Sequence, residues 1–261
     1  MVKKITLTSL GFAALFFSIY FVSNLYAEKG FCKENLNDYV QKKNLWNGTS
    51  PLRLHLGCGQ SHFSGYINID FPPSEHTVQN GLTADVYADI TKLQVTHGSI
   101  DEIRSHHVFE HFDRSAALAL LCEWYLWLKP GGVVVIETPD FEASAQIALS
   151  KKNTYQQRQV ALRHLFGSHE AHWAIHCDGW CQEKFTHVLS KLGFTDIQTH
   201  QYAGNRLIPN VVARATKMTI LSKEELATRA KQILRDSMVN NSEQALWLVW
   251  CTNFDAAFKN S

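Results

Sequence analysis

The segment Leu54–Asp70, LHLGCGQSHFSGYINID, constrains the fold more than any other part of the chain. A short apolar run ends in Gly57-Cys58-Gly59, and a second run, closed by Asp70, follows after only Gln60 to Tyr66. Two strands joined through glycines leave a turn that a ligand can approach closely, with no Cβ in the way. A dinucleotide fingerprint would need G-x-G-x-x-G, a full helix before the second strand and an acid about 20 residues further on. Here His62 occupies the third glycine position and the connection is too short for that helix. A pyrophosphate is poorly served by this turn; a nucleoside cofactor without phosphate loses nothing.

Downstream the pattern alternates short apolar runs with amphipathic stretches, as in a sheet with crossover helices. Leu52–Leu56 and Tyr66–Ile69 read as the first two strands, Ile100–His106 as another, and Val133–Glu137 (VVVIE) as a buried one. Ser115–Leu128 reads as a helix capped by Ser115 and stopped by Lys129-Pro130-Gly131-Gly132. Lys184–Leu192 reads as a helix closed by Gly193. Thr195–Tyr202 and Val211–Thr216 read as strands whose short connection makes them antiparallel. The fold class is therefore α/β: a Rossmann-like sheet, mostly parallel with an antiparallel last strand, and helices on both faces. The tail, 219–261, reads as two helices. The first opens with the capping-box pair Ser222 and Glu225, and the second carries Trp247, Trp250, Phe254 and Phe258 on one face. That face either packs on the domain or serves a homodimer or membrane-surface contact.

From Ile5 to Ala27 there is no charged residue, and Lys3 and Lys4 precede the run. About 20 apolar residues span a bilayer as a helix, whereas a signal-peptide core is about 7–15 residues. An N-terminal membrane anchor is the first expectation, with a cleaved signal and export as the alternative. Lysines 29, 33, 42 and 43 after the run lean towards a cytosolic main domain. The expected organisation is an anchor or signal at 1–27, a tether or short helix at 28–50, a catalytic domain at 51–217 and a helical extension at 218–261. A net charge of +1 across 261 residues, with no Lys/Arg cluster, argues against a nucleic-acid partner. The six cysteines are scattered and suggest neither a disulfide framework nor a cysteine zinc site.

Five consecutive elements, HLGCG, GYINID, ADVYADI, IDEIRSHHVFEHF and LKPGGVVVIETPD, together resemble a class I S-adenosylmethionine-dependent methyltransferase over about residues 52–216. They are most similar to the short-loop type encoded beside glycosyltransferases in bacterial surface-polysaccharide clusters. The resemblance implies S-adenosylmethionine as cofactor and assigns Leu56, Gly57, Cys58, Gly59, Asp70, Asp89, Ile90 and His107 to it. In that assignment the glycine turn passes beneath the methionyl part and Asp70 accepts from the ribose hydroxyls, while Asp89 and Ile90 flank the adenine.

A hydroxyl acceptor must also lose a proton, and histidine suits that task near neutral pH. The candidate catalytic residues are His107, His111 and His176. His107 is the favoured base, and a helix-start role competes for His111. The stretch HLFGSHEAHWAIHCDGW gathers histidines, acids and tryptophans where this fold covers its substrate. A polar small-molecule or glycan acceptor, or a lipid-linked sugar, is the expected partner. His172 and His176 stand at i,i+4 spacing, which makes a divalent metal conceivable, but no metal is assigned. A non-catalytic scaffold of the same fold and a nicotinamide-dependent oxidoreductase are the competing classes.

Overall fold

Continuous apolar and β-branched runs build the sheet. Leu54, His55 and Leu56 are buried in β1 (Arg53–Leu56), as is every residue of β2 (Ile67–Asp70). Strands covered on both faces lose the in–out alternation of a half-exposed strand. β3 (Val86–Tyr87), β4 (Ile100–His106), β5 (Leu128–Pro139), β6 (Phe194–Tyr202) and β7 (Asn210–Lys217) complete a seven-stranded sheet of order β3-β2-β1-β4-β5-β7-β6. The first five strands pair in parallel, and β7 is antiparallel to both β5 and β6. This is a Rossmann-like sheet, mostly parallel with an antiparallel end, flanked by helices. The structure, a computed structural model, describes residues 32–76, 81 and 83–258. The apolar run Ile5–Ala27 lies outside the described residues, among which no helix is long and apolar enough to cross a membrane.

Two local expectations are corrected, and a third is sharpened. The helix after β4, α2 (Arg114–Trp127), follows the N-cap Asp113, whose carboxylate accepts from the N–H groups of Ser115 and Ala116. An ionised cap also favours the positive end of the helix dipole. Ser115 instead donates its hydroxyl to the Trp250 carbonyl, 3.1 Å away, a partner that only the folded tail supplies. β5 begins earlier than expected. It pairs with β4 at Leu128, the register shifts between Ile100 and Glu102, and pairing resumes at Val133, so the Lys129–Gly132 turn sits within the strand's span. Of the tether or short helix expected before the domain, the helix is present as α1 (Leu36–Lys42), and it packs into the core. Leu36 and Val40 have no exposed surface, and Asn37 bonds Thr96 N and Ser99 Oγ on the β3–β4 connection.

Between β5 and β6 the chain forms α3 (Phe141–Leu149), α4 (Tyr155–Phe166) and α5 (Gln182–Leu192). Gly193 ends α5 at φ +99°, a left-handed cap that suits glycine. The tail folds as α6 (Lys223–Leu234) and α7 (Gln244–Phe258). The Ser222–Glu225 capping box is present in both directions. Phe254 and Phe258 are buried in the central core, and Trp247 and Trp250 pack against it. The aromatic face of α7 is therefore taken by the domain itself. Arg114 lies over the Trp250 ring, and Trp247 donates to the Lys231 carbonyl.

Candidate active site

In a parallel sheet the loops at the carboxyl ends of the strands form the natural crevice. Here those after β1, β2, β3 and β4 surround a cavity of about 650 Å³. Its walls are the Gly57–Ser61 turn, Asp70 and Phe71, Ala88–Thr91, His106–Val108, and His111 with Phe112; His172, Trp173, Ile175 and Cys177 cover it. Such a volume fits a small-molecule or cofactor site.

The glycine turn is held from β2. The N–H groups of Gly57 and Cys58 donate to the Ile69 carbonyl at 2.8 and 3.1 Å. Gly57 has φ +70°, and a Cβ built there would lie 1.9 Å from Val108 Cγ2. Backbone conformation and packing both demand glycine at this position. Asp70, buried at the end of β2, accepts from Gly59 N–H through one oxygen and from Phe71 N–H, at 2.6 Å, through the other. A carboxylate offers about four lone-pair sites, so acceptor capacity remains on a group lining the cavity. His76 Nε2 stands 3.3 Å from Asp70 Oδ1, and its ring meets Trp173 edge-on.

Of the residues assigned to the cofactor, Gly57, Cys58, Gly59, Asp70, Asp89, Ile90 and His107 line the cavity together. Leu56 does not: it is wholly buried within the sheet, where a core side chain is needed. Asp89 is engaged by its own loop, accepting from Thr91 N–H and Oγ1 and pairing with Lys92 at 2.8 Å. Burial raises the Cys58 thiol to about 12, helped by the nearby Asp70 and Asp85 carboxylates, so it is a closed wall rather than a nucleophile.

His107 sits in the left-handed region at φ +52°, between two carboxylates. Its Nδ1 is 3.4 Å from Glu110 Oε1 and its Nε2 is 3.4 Å from Glu137 Oε1. Burial pushes its pKa down, but Glu110 and Glu137 outweigh this and lift it to about 10. The ring therefore keeps its proton at neutral pH, and the expected base becomes a cation facing the cavity. Burial pushes Glu137 up, yet His107 and Tyr202 bring it down to about 2. Tyr202 donates its hydroxyl to Glu137, and Asn210 donates from Nδ2 at 3.0 Å. His106, which closes β4, is lowered chiefly by burial and stays neutral.

His111 lines the cavity; His176, within the covering segment, does not, and its Nε2 is 3.9 Å from Glu110 Oε1. The segment 167–181 contains no helix. It is tied down by Cys177 N–H to the Glu110 carbonyl (2.8 Å) and by Trp173 Nε1–H to the Glu75 carbonyl (2.7 Å). The i,i+4 spacing of His172 and His176 thus has no helix to act through. Sequence reasoning missed His55, Phe71 and His76 in the walls and Asn210 and Tyr202 behind them. Glu137 alone left a signal, an acid closing an apolar strand.

Sheet order, glycine turn and β2 acid together form a Rossmann-like fold with a crevice at the carboxyl ends of its strands. Residues 54–136 match the family model described as a methyltransferase domain. A similar solved structure is a S-adenosylmethionine-dependent methyltransferase from Methanosarcina mazei, 16% identical, covering 67% of this chain and 96% of that one, with a TM-score of 0.44. A second, from Archaeoglobus fulgidus, is 14% identical over 69% and 92% of the two chains, with a TM-score of 0.44. A third is the Haemonchus contortus phosphoethanolamine N-methyltransferase 2 in complex with S-adenosylmethionine, 15% identical over 66% and 49%, with a TM-score of 0.41. No curated protein matches the chain in sequence.

Proposed function

We propose that the protein is an S-adenosylmethionine-dependent methyltransferase acting on an acceptor hydroxyl of a sugar, a glycan or a lipid-linked sugar. The observation that carries the donor is Asp70: a buried carboxylate with spare acceptor capacity, at the end of β2, in one cavity with the Gly57–Gly59 turn. The turn lets backbone lie against the ligand, Asp70 accepts from paired ribose hydroxyls, and Ile90 offers an apolar wall to the base. When bound, S-adenosylmethionine supplies a sulfonium methyl open to in-line attack by oxygen. The chain's own contribution is to hold the acceptor against that methyl in a cavity shielded by the 172–177 cover. His106, neutral and cavity-lining, takes up the hydroxyl proton, while His107 supplies fixed positive charge. Trp173 and the histidines around it suit a polar ring, since an aromatic face packs against the apolar face of a sugar. As an anchor, the run Ile5–Ala27 would hold this cavity beside a membrane-borne acceptor, with the domain on the cytosolic side.

Calorimetric titration of the full-length protein with S-adenosylmethionine and S-adenosylhomocysteine tests the donor. Hydrogen bonds to an ionised group are worth about 1.5–3 kcal/mol, so Asp70→Ala should weaken binding at least tenfold. Because Asp70 also braces Gly59 and Phe71, Asp70→Asn is measured beside it, with folding checked by circular dichroism. Saturable binding that both substitutions weaken supports the reading. No binding by folded parent protein moves the scaffold alternative to first place.

A further inference from the structure

Where the loop after β4 meets the covering segment, three side chains bring possible ligand atoms close together. Glu110 is 2% exposed; its charge is offset by the His107 ring beside Oε1, but among the described residues neither carboxylate oxygen has a well-formed hydrogen bond. A buried carboxylate with acceptor capacity left over can take a further cationic partner. His107 approaches Oε1 at 3.4 Å, outside the range of a firm hydrogen bond, and Oε2 is left over.

The two neighbouring histidines are set in one consistent way. His111 Nδ1 stands 3.1 Å from the Ile175 carbonyl, and His176 Nδ1 stands 3.0 Å from the His164 carbonyl. A carbonyl can only accept, so each Nδ1 is the donor and each Nε2 is the nitrogen left for another partner. That is how metal-binding histidines are oriented: one nitrogen fixed by a backbone carbonyl, the other free to coordinate. One ligand atom each from Glu110, His111 and His176 lies within 4.8 Å of the others.

We infer that Glu110, His111 and His176 form a binding site for a divalent transition-metal ion of the zinc class. Two imidazoles and one carboxylate are the donors such ions take, and three protein ligands leave a coordination position open. Ligand atoms around a tetrahedral ion stand roughly 3.4 Å apart, so a contraction of up to about 1.4 Å closes the set. Metal filling would also secure the cover, because His176 belongs to it and Glu110 to the loop after β4. His111 also lines the cavity, so an ion held here would stand at the cavity's edge. The geometry of the three ligands owes nothing to a bound nucleoside, so metal binding can be tested apart from methyl transfer.

The test uses the full-length protein, stripped by chelator and titrated with zinc and with cobalt(II), whose visible spectrum reports coordination. One equivalent should bind, with tetrahedral cobalt bands. His111→Ala and His176→Ala should each weaken binding at least a hundredfold, while His172→Ala leaves it unchanged. Glu110→Gln is measured in parallel, with the histidine variants deciding if it fails to fold. Failure of folded parent protein to bind either ion overturns the inference, as does unchanged affinity in both histidine variants. S-adenosylhomocysteine titration of the same samples separates the two readings: metal binding without nucleoside binding leaves this site standing and removes the transferase.

Discussion

His55 stands in the middle of β1 with no exposed surface, its ring stacked on Phe63 at 4.1 Å and its Nδ1 3.1 Å from Asn68 Oδ1. Burial, with smaller contributions from His106 and Arg104, lowers its pKa to about 4, although Asn68 opposes the shift. The unfolded chain takes a proton on this residue near pH 6.5 and the folded chain does not, so protonation favours unfolding. Its contribution is complete above pH 6.5 and is lost as pH falls towards 4. With about 1.4 kcal/mol per unit, the loss amounts to roughly 3 kcal/mol. Glu137, held near 2, loses its own contribution only below about 4.5, so the window from 6.5 to 4.5 belongs to histidine. Urea unfolding at several pH values should show stability falling across that window and His55→Phe flattening part of the fall. An unchanged slope in the variant would sink the assignment. The same scale shows what sequence could reveal. Gly57, Gly59 and Asp70 were legible because one short segment carries the whole device. Glu137, Tyr202 and Asn210 were not, because β5, β6 and β7 meet behind the cavity only after folding. The charge of His107 was not legible for the same reason: its two carboxylates come from different elements.

Helix α7 shows the element scale most directly, since its two faces have opposite fates. Phe254 has no exposed surface and lies in the core, whereas Leu248 on the same helix is 52% exposed. Truncating a buried phenylalanine costs about 3–5 kcal/mol through lost transfer energy and the cavity left behind. Phe254→Ala should therefore lower stability by that amount in chemical denaturation, with Leu248→Ala within about 0.5 kcal/mol of the parent. Equal small effects would mean that the aromatic face is not packed as described. The three- and four-residue spacing of Trp247, Trp250, Phe254 and Phe258 was readable, but its destination was not. Spacing defines a face and says nothing of what covers it. Strand positions were readable too, because runs such as VVVIE admit few alternatives. The cap of α2 was misplaced by two residues because Asp113 and Ser115 both fit a helix start; the Trp250 carbonyl, which engages Ser115, is remote in sequence. The short helix before the domain was readable as an alternative to a tether, but Leu36 and Val40 form too short a pattern to announce that it packs into the core.

At the scale of the whole molecule, one core joins parts that the sequence separated. Leu36 and Val40 from α1, the strands, α2, and Leu226, Ile233, Phe254 and Phe258 from the tail belong to a single buried cluster. Lys217, at the end of β7, donates to the Leu128 carbonyl at 2.7 Å, and Tyr125 on α2 bonds Thr219, so the junction to the tail is itself tied in. A boundary near residue 218 therefore marks a change of pattern and no break in packing. A shared core makes unfolding cooperative, and a ligand held by the loops after β1 to β4 should stabilise the tail as much as the sheet. Heating should give one transition, seen alike by tryptophan fluorescence and far-ultraviolet circular dichroism. S-adenosylhomocysteine at a hundred times its dissociation constant adds about 2.7 kcal/mol, which for a chain of this size raises Tm by roughly 5–10 °C. The same shift should appear in both probes, although Trp247 and Trp250 lie on the tail and touch none of the cavity. A ligand shift confined to one of two transitions would show that the tail folds as a unit of its own, and would return the boundary near residue 218 to the status of a domain border.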